Sequence, residues 1–165
     1  MSINDICRKY NIRNYTINND GTVDVDGNVG LSRNYLTILP LKFGKVSGIF
    51  DCSNNQLTTL DGAPYFVGDL FSCANNLLKT LECGPEVVLG TYYCYRNRLV
   101  NFKGFPEDYD GYINFASNSV DNFFRNIPFT KCSKFIYWCN EYDAITDDGT
   151  VIPERMEEVY NKLGL

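Results

Sequence analysis

The chain has 165 residues, with 15 basic and 20 acidic side chains and a formal net charge of −5. This length suits one domain, and the acidic balance argues against a binder of nucleic acid or of an anionic membrane, which usually shows a basic surface. The chain has no histidine, which excludes catalytic arrangements that use imidazole as a base. No apolar run is as long as a membrane span and the N-terminus lacks an apolar signal segment, so we expect a soluble, cytoplasmic protein.

Residues 1–27 are predicted to form an N-terminal cap made of a short helix and a hairpin. Ser2 and Asp5 have the spacing of a capping box, in which each side chain accepts a hydrogen bond from the other residue's backbone N–H. The alternating segments Tyr15–Ile17 and Val23–Val25 lie on either side of an Asn-Asp-Gly turn, which is typical of a hairpin.

Residues 28–131 contain five repeats with a period of 21 residues. An asparagine marks each repeat, at Asn34, Asn55, Asn76, Asn97 and Asn118. Two apolar columns precede the asparagine: Val29, Phe50, Phe71, Tyr92 and Ile113, then Leu31, Cys52, Cys73, Cys94 and Phe115. Two further apolar columns follow it: Leu36, Leu57, Leu78, Leu99 and Val120, then Leu39, Leu60, Leu81, Phe102 and Phe123. A fixed period with an L-x-L-x-x-N-x-L core resembles the leucine-rich repeat, which forms a solenoid.

The repeat pattern predicts one strand and one non-helical return segment in each turn. The first two apolar columns are separated by one residue, so on a strand both point inward. Side chains of stacked asparagines can satisfy buried backbone groups where the strand ends. Glycine and proline recur at the same position of successive repeats, around Pro64, Pro85 and Pro106. They favour an extended return segment over a helix. We therefore predict a leucine-rich-repeat solenoid with a parallel β-sheet on its concave face, a non-helical convex side and small α/β caps at both ends.

Three of the seven cysteines, Cys52, Cys73 and Cys94, occupy one inward column. We interpret them as free thiols that pack as small apolar side chains in a reduced compartment. The alternatives are a metal site or disulfides, but zinc needs a tetrahedral cluster and a ladder presents its sulfur atoms in a line. We predict no metal ion and no cofactor.

Residues 132–165 are predicted to form a C-terminal cap of a strand, a turn and a helix. The strand is placed at 134–137, with an uncertain register because Lys134 would point inward. The helix begins at Pro153 and ends at Gly164, which suit a helix start and a helix end.

The repeats, in the form Gly-x-Phe-Asp-Cys-Ser-Asn-Asn-x-Leu-Thr-x-Leu-x-Gly-Ala-Pro, resemble the short leucine-rich-repeat proteins of bacteriophages and, more distantly, the solenoids of bacterial effectors. The resemblance covers residues 28–131 and implies protein recognition on a scaffold. Some bacterial repeat proteins carry a ubiquitin-ligase domain after the solenoid, for which residues 132–165 are too few. We therefore expect no enzymatic activity.

The outward strand positions of the later repeats are aromatic, whereas those of the early repeats are small and polar. Tyrosine, tryptophan and arginine are enriched in interface hot spots, and an exposed aromatic patch usually marks a contact surface. The predicted partner-binding residues are Tyr93, Tyr95, Arg96, Arg98, Tyr112, Asn114, Phe135, Tyr137 and Trp138. Alternatively, Tyr137 and Trp138 pack inside the C-terminal cap, with Tyr93 and Tyr95 over that junction.

Three functions remain open from the sequence. The first is a phage-encoded protein-binding module that engages a host protein, such as a defence or metabolic enzyme, in the host cytoplasm and inhibits it. The second is a structural or self-associating component, such as an edge-to-edge homodimer of solenoids; the oligomeric state is not predicted. The third is a binder of single-stranded nucleic acid, since stacked tyrosines with arginines can hold bases, although the acidic balance disfavours it.

Overall fold

The chain winds into a β-solenoid of about four turns, and the computed structural model describes residues 1–107, 109 and 111–165. The strands in chain order are β1 (Tyr15–Ile17), β2 (Val23–Val25), β3 (Val29–Gly30), β4 (Phe43–Val46), β5 (Phe50–Asp51), β6 (Phe66–Val67), β7 (Phe71–Ser72), β8 (Val87–Val88), β9 (Tyr92–Tyr93) and β10 (Ile113–Asn114). A front sheet has the order β3-β5-β7-β9-β10, and a back sheet has the order β1-β2-β4-β6-β8. All pairs are parallel except the β1–β2 hairpin.

Strands of the front sheet pair at the predicted 21-residue register. Phe50 pairs with Val29 on one side and with Phe71 on the other. The Phe50 and Phe71 rings are stacked at 5.8 Å, and both side chains are fully buried. The predicted inward columns are buried except at their ends, where Leu36, Ile113 and Phe123 are partly buried against the core. The core consists of these columns stacked from turn to turn, as a solenoid requires.

The asparagine ladder is also confirmed. The Asn76 Oδ1 atom accepts a hydrogen bond from the Leu57 N–H at 2.9 Å. Its Nδ2 atom donates to the carbonyl of Cys52 at 3.1 Å, in the preceding turn, and to that of Cys73 at 3.0 Å, in its own turn. Asn55, Asn97 and Asn118 repeat this arrangement. Each of these side chains thus joins two turns, and it accepts from a backbone N–H that has no other hydrogen-bond partner among the described residues.

The predicted N-terminal elements are present. Helix α1 (Ile3–Lys9) begins with the capping box, in which the Ser2 Oγ accepts from the Asp5 N–H and the Asp5 carboxylate accepts from the Ser2 N–H. Strands β1 and β2 then form the antiparallel hairpin. Strand β2 continues into the back sheet by pairing with β4, so the hairpin is an extension of the solenoid.

The return segments of the early turns are extended, and the back strands β4, β6 and β8 lie there. In the fifth repeat the prediction of a non-helical return is wrong, because residues Ser119–Asn126 and Phe129–Lys131 are 3₁₀-helical. The segment Ser119–Asn126 contains neither glycine nor proline, so nothing prevents helical backbone angles there.

The predicted strand at 134–137 is wrong. Residues Cys132–Glu141 form helix α2. In this helix Phe135, Ile136 and Cys139 lie on one buried face, whereas Lys134 is exposed. A strand would have directed Lys134 inward, and the helix avoids the cost of burying that charge. Helix α3 (Pro153–Leu163) is present as predicted, with Gly164 in the left-handed conformation at its end.

One buried hydroxyl in the core gives a testable prediction about packing. Tyr92 lies in the column of Phe50 and Phe71, and its hydroxyl is buried without a hydrogen-bond partner among the described residues. We expect Tyr92→Phe to raise the free energy of unfolding by about 1 kcal/mol, because the unpaired hydroxyl is desolvated at a cost. Urea denaturation measures this change.

Tyr109 provides the matched control for that substitution. Its hydroxyl is also buried, but it donates to the carbonyls of Gly90 and Tyr112. Tyr109→Phe removes those bonds and should lower the free energy of unfolding by about 1–2 kcal/mol. Destabilisation by both substitutions would show that the Tyr92 hydroxyl is satisfied in solution.

Candidate functional site

Three of the predicted tyrosines meet at the end of the front sheet that β9 and β10 form. Tyr93 and Tyr95 point to the same outer face because they alternate with the buried Cys94. The Tyr93 ring contacts Tyr95 edge-on at a centroid distance of 5.9 Å and Tyr112 at 6.2 Å. Tyr112 is 50% exposed, and the other two rings are partly buried. The structure thus places these residues in one continuous group of rings.

Phe129 extends this group of rings, although it is not among the binding residues predicted from the sequence. Its ring lies 6.2 Å from that of Tyr112, and the side chain is 67% exposed although it is apolar. Phe129 follows Pro128, which lies 22 residues after Pro106, whereas Pro64, Pro85 and Pro106 are 21 residues apart, so Phe129 lies outside the repeat columns. This break in the repeat is the signal that could have drawn attention to it. We call Tyr93, Tyr95, Tyr112 and Phe129 the aromatic patch.

Tyr109 holds the backbone that presents Tyr112. Its hydroxyl donates to the Tyr112 carbonyl at 3.0 Å and to the Gly90 carbonyl, so it connects the last turn to the one before. The Tyr109 ring packs edge-on against Phe105 at 5.3 Å. Burial raises the pKa of Tyr109 to about 12, so its hydroxyl keeps its proton at neutral pH and remains a donor.

The three predicted site residues of the C-terminal segment do not join the aromatic patch. Phe135 was placed on an exposed strand, but it is fully buried in α2 and cannot contact a partner from the surface. Trp138 stacks on Tyr142 at 5.4 Å, and the Lys162 Nζ lies 5.1 Å from its ring centroid. Tyr137 contacts Trp138 edge-on at 4.9 Å. Trp138 is partly buried against the core at this helical end, and Tyr137 is partly exposed beside it.

The predicted polar residues lie beside the aromatic patch. Arg96 and Arg98 are exposed, while Asn114 is partly buried and its Oδ1 accepts from the Ala116 N–H at 3.0 Å. Ion pairs within residues 1–107, 109 and 111–165 join Arg8 to Asp5 and Lys103 to Asp147, and neither pair involves these two arginines. Both guanidinium groups are therefore free of carboxylate partners in the described part of the chain.

Arg96 also occupies a backbone position that does not suit it. The residue before each ladder asparagine is left-handed, and Asn54 and Asn75 there have φ of 56° and 53°. Arg96 adopts φ of 53° at the equivalent position. Asparagine tolerates this conformation better than arginine does. Arg33 and Ser117 have φ of 58° and 60° at the same position of the first and last repeats, so the conformation belongs to the repeat and does not mark Arg96 as a binding residue.

A cleft lies next to the aromatic patch, between β10 and the 3₁₀ segments of the last repeat. Its volume is about 570 Å³, and its apolar walls include Ile113, Phe115, Phe124, Ile127 and Phe129. Phe129 belongs to both the cleft and the aromatic patch, so the two features form one continuous surface.

The first turns of the front sheet expose few side chains that a partner could contact. Ser53 and Ser72 are buried, and the Asp51 carboxylate accepts from the Ser53 N–H at 2.9 Å. Exposed apolar side chains also occur elsewhere, at Tyr35, Ile38, Tyr65, Val87 and Leu89. Tyr35 and Tyr65 have no ring contact with another aromatic side chain among the described residues, so they do not form a group of rings like the aromatic patch.

The buried thiols are poor candidates for chemistry. Cys52, Cys73 and Cys94 are free and fully buried, and the Sγ atoms of Cys52 and Cys94 each lie 3.3 Å from a backbone carbonyl of the next turn. Burial raises the pKa of all three thiols well above the usual value, so the reactive thiolate is suppressed. Within the described ranges, no group of three or more His, Cys, Asp or Glu side chains could hold a metal ion.

Comparison with known proteins does not assign the chain to a family: no family model, curated protein or solved structure matches it. Among the described residues, no helix has both the length and the apolar character needed to cross a membrane. The geometry of the surface is therefore the main basis for a functional proposal.

Proposed function

We propose that this chain is a non-enzymatic protein-binding module that engages its partner through the aromatic patch and the adjoining arginines. The observation that carries the proposal is the continuous contact of four aromatic rings, two of which, Tyr112 and Phe129, are at least half exposed. Rings held by their neighbours lose little conformational entropy on binding. Beside these rings are the guanidinium groups of Arg96 and Arg98, which have no carboxylate partner among the described residues. Aromatic and arginine side chains are both typical of hot spots.

We further propose that the solenoid is of the leucine-rich-repeat type. The 21-residue period supports this assignment, as does the asparagine that bonds to the carbonyls of two successive turns. In repeat proteins of this kind the stacked strands form an extended surface for partners. The aromatic patch lies at the end of the front sheet that β9 and β10 form.

A protein partner is favoured over nucleic acid because of charge. The chain carries a net charge of −5, and nucleic-acid binding depends mainly on basic residues that neutralise phosphates. Two arginines beside the patch suffice for hydrogen bonds to a carboxylate or carbonyl of a protein. Two arginines are too few to neutralise successive phosphates along a nucleic-acid strand.

The resemblance to phage repeat proteins supports a more specific proposal about biological context. In this proposal the chain is phage-encoded, acts in the host cytoplasm and inhibits a host defence or metabolic enzyme by covering a catalytic or assembly surface. The partner's identity is left to experiment, since a fold alone does not define function.

A pull-down from bacterial lysate with identification by mass spectrometry tests the proposal. We expect the tagged chain to capture a stoichiometric partner and the variant Tyr93→Ala/Tyr95→Ala/Arg98→Ala to bind it at least 100-fold more weakly, because loss of hot-spot residues costs about 2 kcal/mol or more each. Circular dichroism must show that the variant is folded. The matched control, Tyr65→Ala/Val87→Ala/Leu89→Ala, removes three exposed side chains elsewhere and should bind as the parent does.

Other outcomes would favour the remaining hypotheses. Equal capture by parent and patch variant would show that the aromatic patch is not the interface. An oligomer in light scattering, with no foreign partner, would favour a self-associating component. Retention on single-stranded DNA that falls steeply with salt would favour a nucleic-acid binder.

A further inference from the structure

The front sheet ends at β10 with an open edge. In β9 and the residues that follow it, the N–H groups of Tyr92, Cys94 and Arg96 donate to carbonyls of the last turn, at 2.9, 3.1 and 2.8 Å. Backbone groups of a strand alternate in direction, and each turn repeats the one before it. In the last turn the N–H groups of Ile113 and Phe115 occupy the positions of Tyr92 and Cys94. They therefore point away from β9.

The cleft described above runs along this edge. Strand β10 forms one side, and the 3₁₀ segments with the start of α2 form the other. Its volume of about 570 Å³ lies within the range of about 300–1,000 Å³ that is usual for ligand sites. Backbone donors at strand spacing beside an apolar wall are the features that recognise an added β-strand, since main-chain bonds supply affinity and pockets accept alternate side chains.

We propose that the partner enters this cleft as an extended segment and pairs with β10 as the next strand of the front sheet. This inference rests on the proposed protein-binding function and specifies its mode. The added strand continues the hydrogen-bond ladder that already joins the five strands. Its apolar side chains fill the cleft, while Phe129 and Tyr112 contact it from the aromatic patch.

Charge indicates what kind of segment fits. Asp121 is the charged residue among the described residues that line the cleft, and its carboxylate accepts from the Ser117 N–H at 3.3 Å. A basic residue of the partner segment would complement it. A second copy of the chain is disfavoured, because twofold pairing of two β10 edges would bring two Asp121 carboxylates and two chains of charge −5 together.

Selection from a phage-displayed library of linear twelve-residue peptides tests the inference on the full chain. The cleft is blocked by Ala116→Arg, since Ala116 is an exposed residue of the cleft wall. The matched control is Ser32→Arg, which adds the same side chain at the same repeat position in the first turn. We expect enriched peptides that alternate apolar and polar residues, include a basic residue and bind the Ser32→Arg chain normally but the blocked chain at least 30-fold more weakly.

N-methylation of the most enriched synthetic peptide then tests strand pairing directly. Methyl groups on one alternate set of peptide nitrogens should weaken binding at least 100-fold, and those on the other set less than about threefold, because a paired strand directs every second N–H to its neighbour. The inference would be overturned if methylation of the two sets of nitrogens weakened binding equally. It would also be overturned if the selection enriched no peptide that prefers the parent chain to the Ala116→Arg chain. An oligomer of the parent that Ala116→Arg abolishes would overturn it as well, since it would make the occupant a second copy.

The two proposals fail differently in the pull-down. If Ala116→Arg still captures the partner and the patch variant does not, the aromatic patch binds without strand addition, and only the present inference is wrong. If peptides bind the cleft but the patch variant captures the partner normally, the patch assignment is wrong. Loss of capture by both variants, with alternating sensitivity to N-methylation, supports both proposals.

Discussion

Replacing Asn76 by alanine is expected to lower the free energy of unfolding by about 2–4 kcal/mol. The side chain is buried, and it satisfies the Leu57 N–H and the carbonyls of Cys52 and Cys73. Leaving a buried backbone N–H without a partner costs about 1–3 kcal/mol, and each further lost hydrogen bond costs about 0.5–1 kcal/mol. Alanine leaves the Leu57 N–H unpaired, whereas the carbonyls of Cys52 and Cys73 each lose one of two donors and keep the bonds from Asn55 and Asn97. Urea denaturation followed by circular dichroism measures the difference.

Asn34 is the matched control, because it is the same residue at the same repeat position in the first turn. It is exposed, and its Nδ2 atom donates to the Ser32 carbonyl at 3.0 Å without reaching an earlier turn. We expect Asn34→Ala to change the free energy of unfolding by less than about 1 kcal/mol. Similar losses at Asn34 and Asn76 would mean that the asparagines act within their own turns, and the ladder between turns would contribute little.

Raising the pH from 8 to 10 under reducing conditions is expected to destabilise the chain by about 5–8 kcal/mol. Burial raises the pKa of Cys139 to about 12 and holds the pKa of Cys52, Cys73 and Cys94 well above the ordinary value. In the unfolded chain these thiols ionise with a pKa of about 8.5.

The sign of the effect follows from proton binding. Above pH 8.5 the unfolded chain binds fewer protons than the folded chain, so the free energy of unfolding falls as the pH rises. The stabilisation is complete below the unfolded pKa and is lost as the pH approaches the folded values, about 12 for Cys139. Each buried thiol contributes a slope of up to about 1.4 kcal/mol per pH unit.

Two cysteine variants isolate this effect. Cys73→Ala should reduce the slope by about 1.4 kcal/mol per pH unit, because it removes one buried thiol. Cys83→Ala should leave the slope unchanged, since that thiol is exposed. Urea denaturation at several pH values measures the slopes. A free energy of unfolding that is constant from pH 7 to 10 would show that solvent reaches the thiols in the folded state.

Much of the solenoid could be predicted from the sequence because its contacts repeat at a fixed spacing. Asn55 and Asn76 are 21 residues apart and make equivalent hydrogen bonds, and Cys52 and Cys73 pack in the same column. Each turn contacts only its neighbours, so the period specifies which residues meet. The capping box at Ser2 and the helix stop at Gly164 are local signals, so the start of α1 and the end of α3 could also be predicted from the sequence.

The candidate site could be predicted only in part. Tyr93, Tyr95 and Tyr112 belong to repeat columns, so their shared face followed from the register. Phe135 was assigned to the same face because a sixth strand was assumed there. Phe129 was missed, because it lies in a segment where the period ends and no column predicts its neighbours.

The sequence by itself therefore determined the strand register, the inward columns and the asparagine ladder, since these depend on a period that any repeat reveals. Only the tertiary structure decided how the last turn ends: helix α2 buries Phe135, the 3₁₀ segment presents Phe129, and β10 has an open edge beside the cleft. The physical reason is that a terminal turn lacks a next neighbour. Its apolar face is covered by whichever packing the remaining segment can achieve, and that depends on non-repeating contacts in three dimensions.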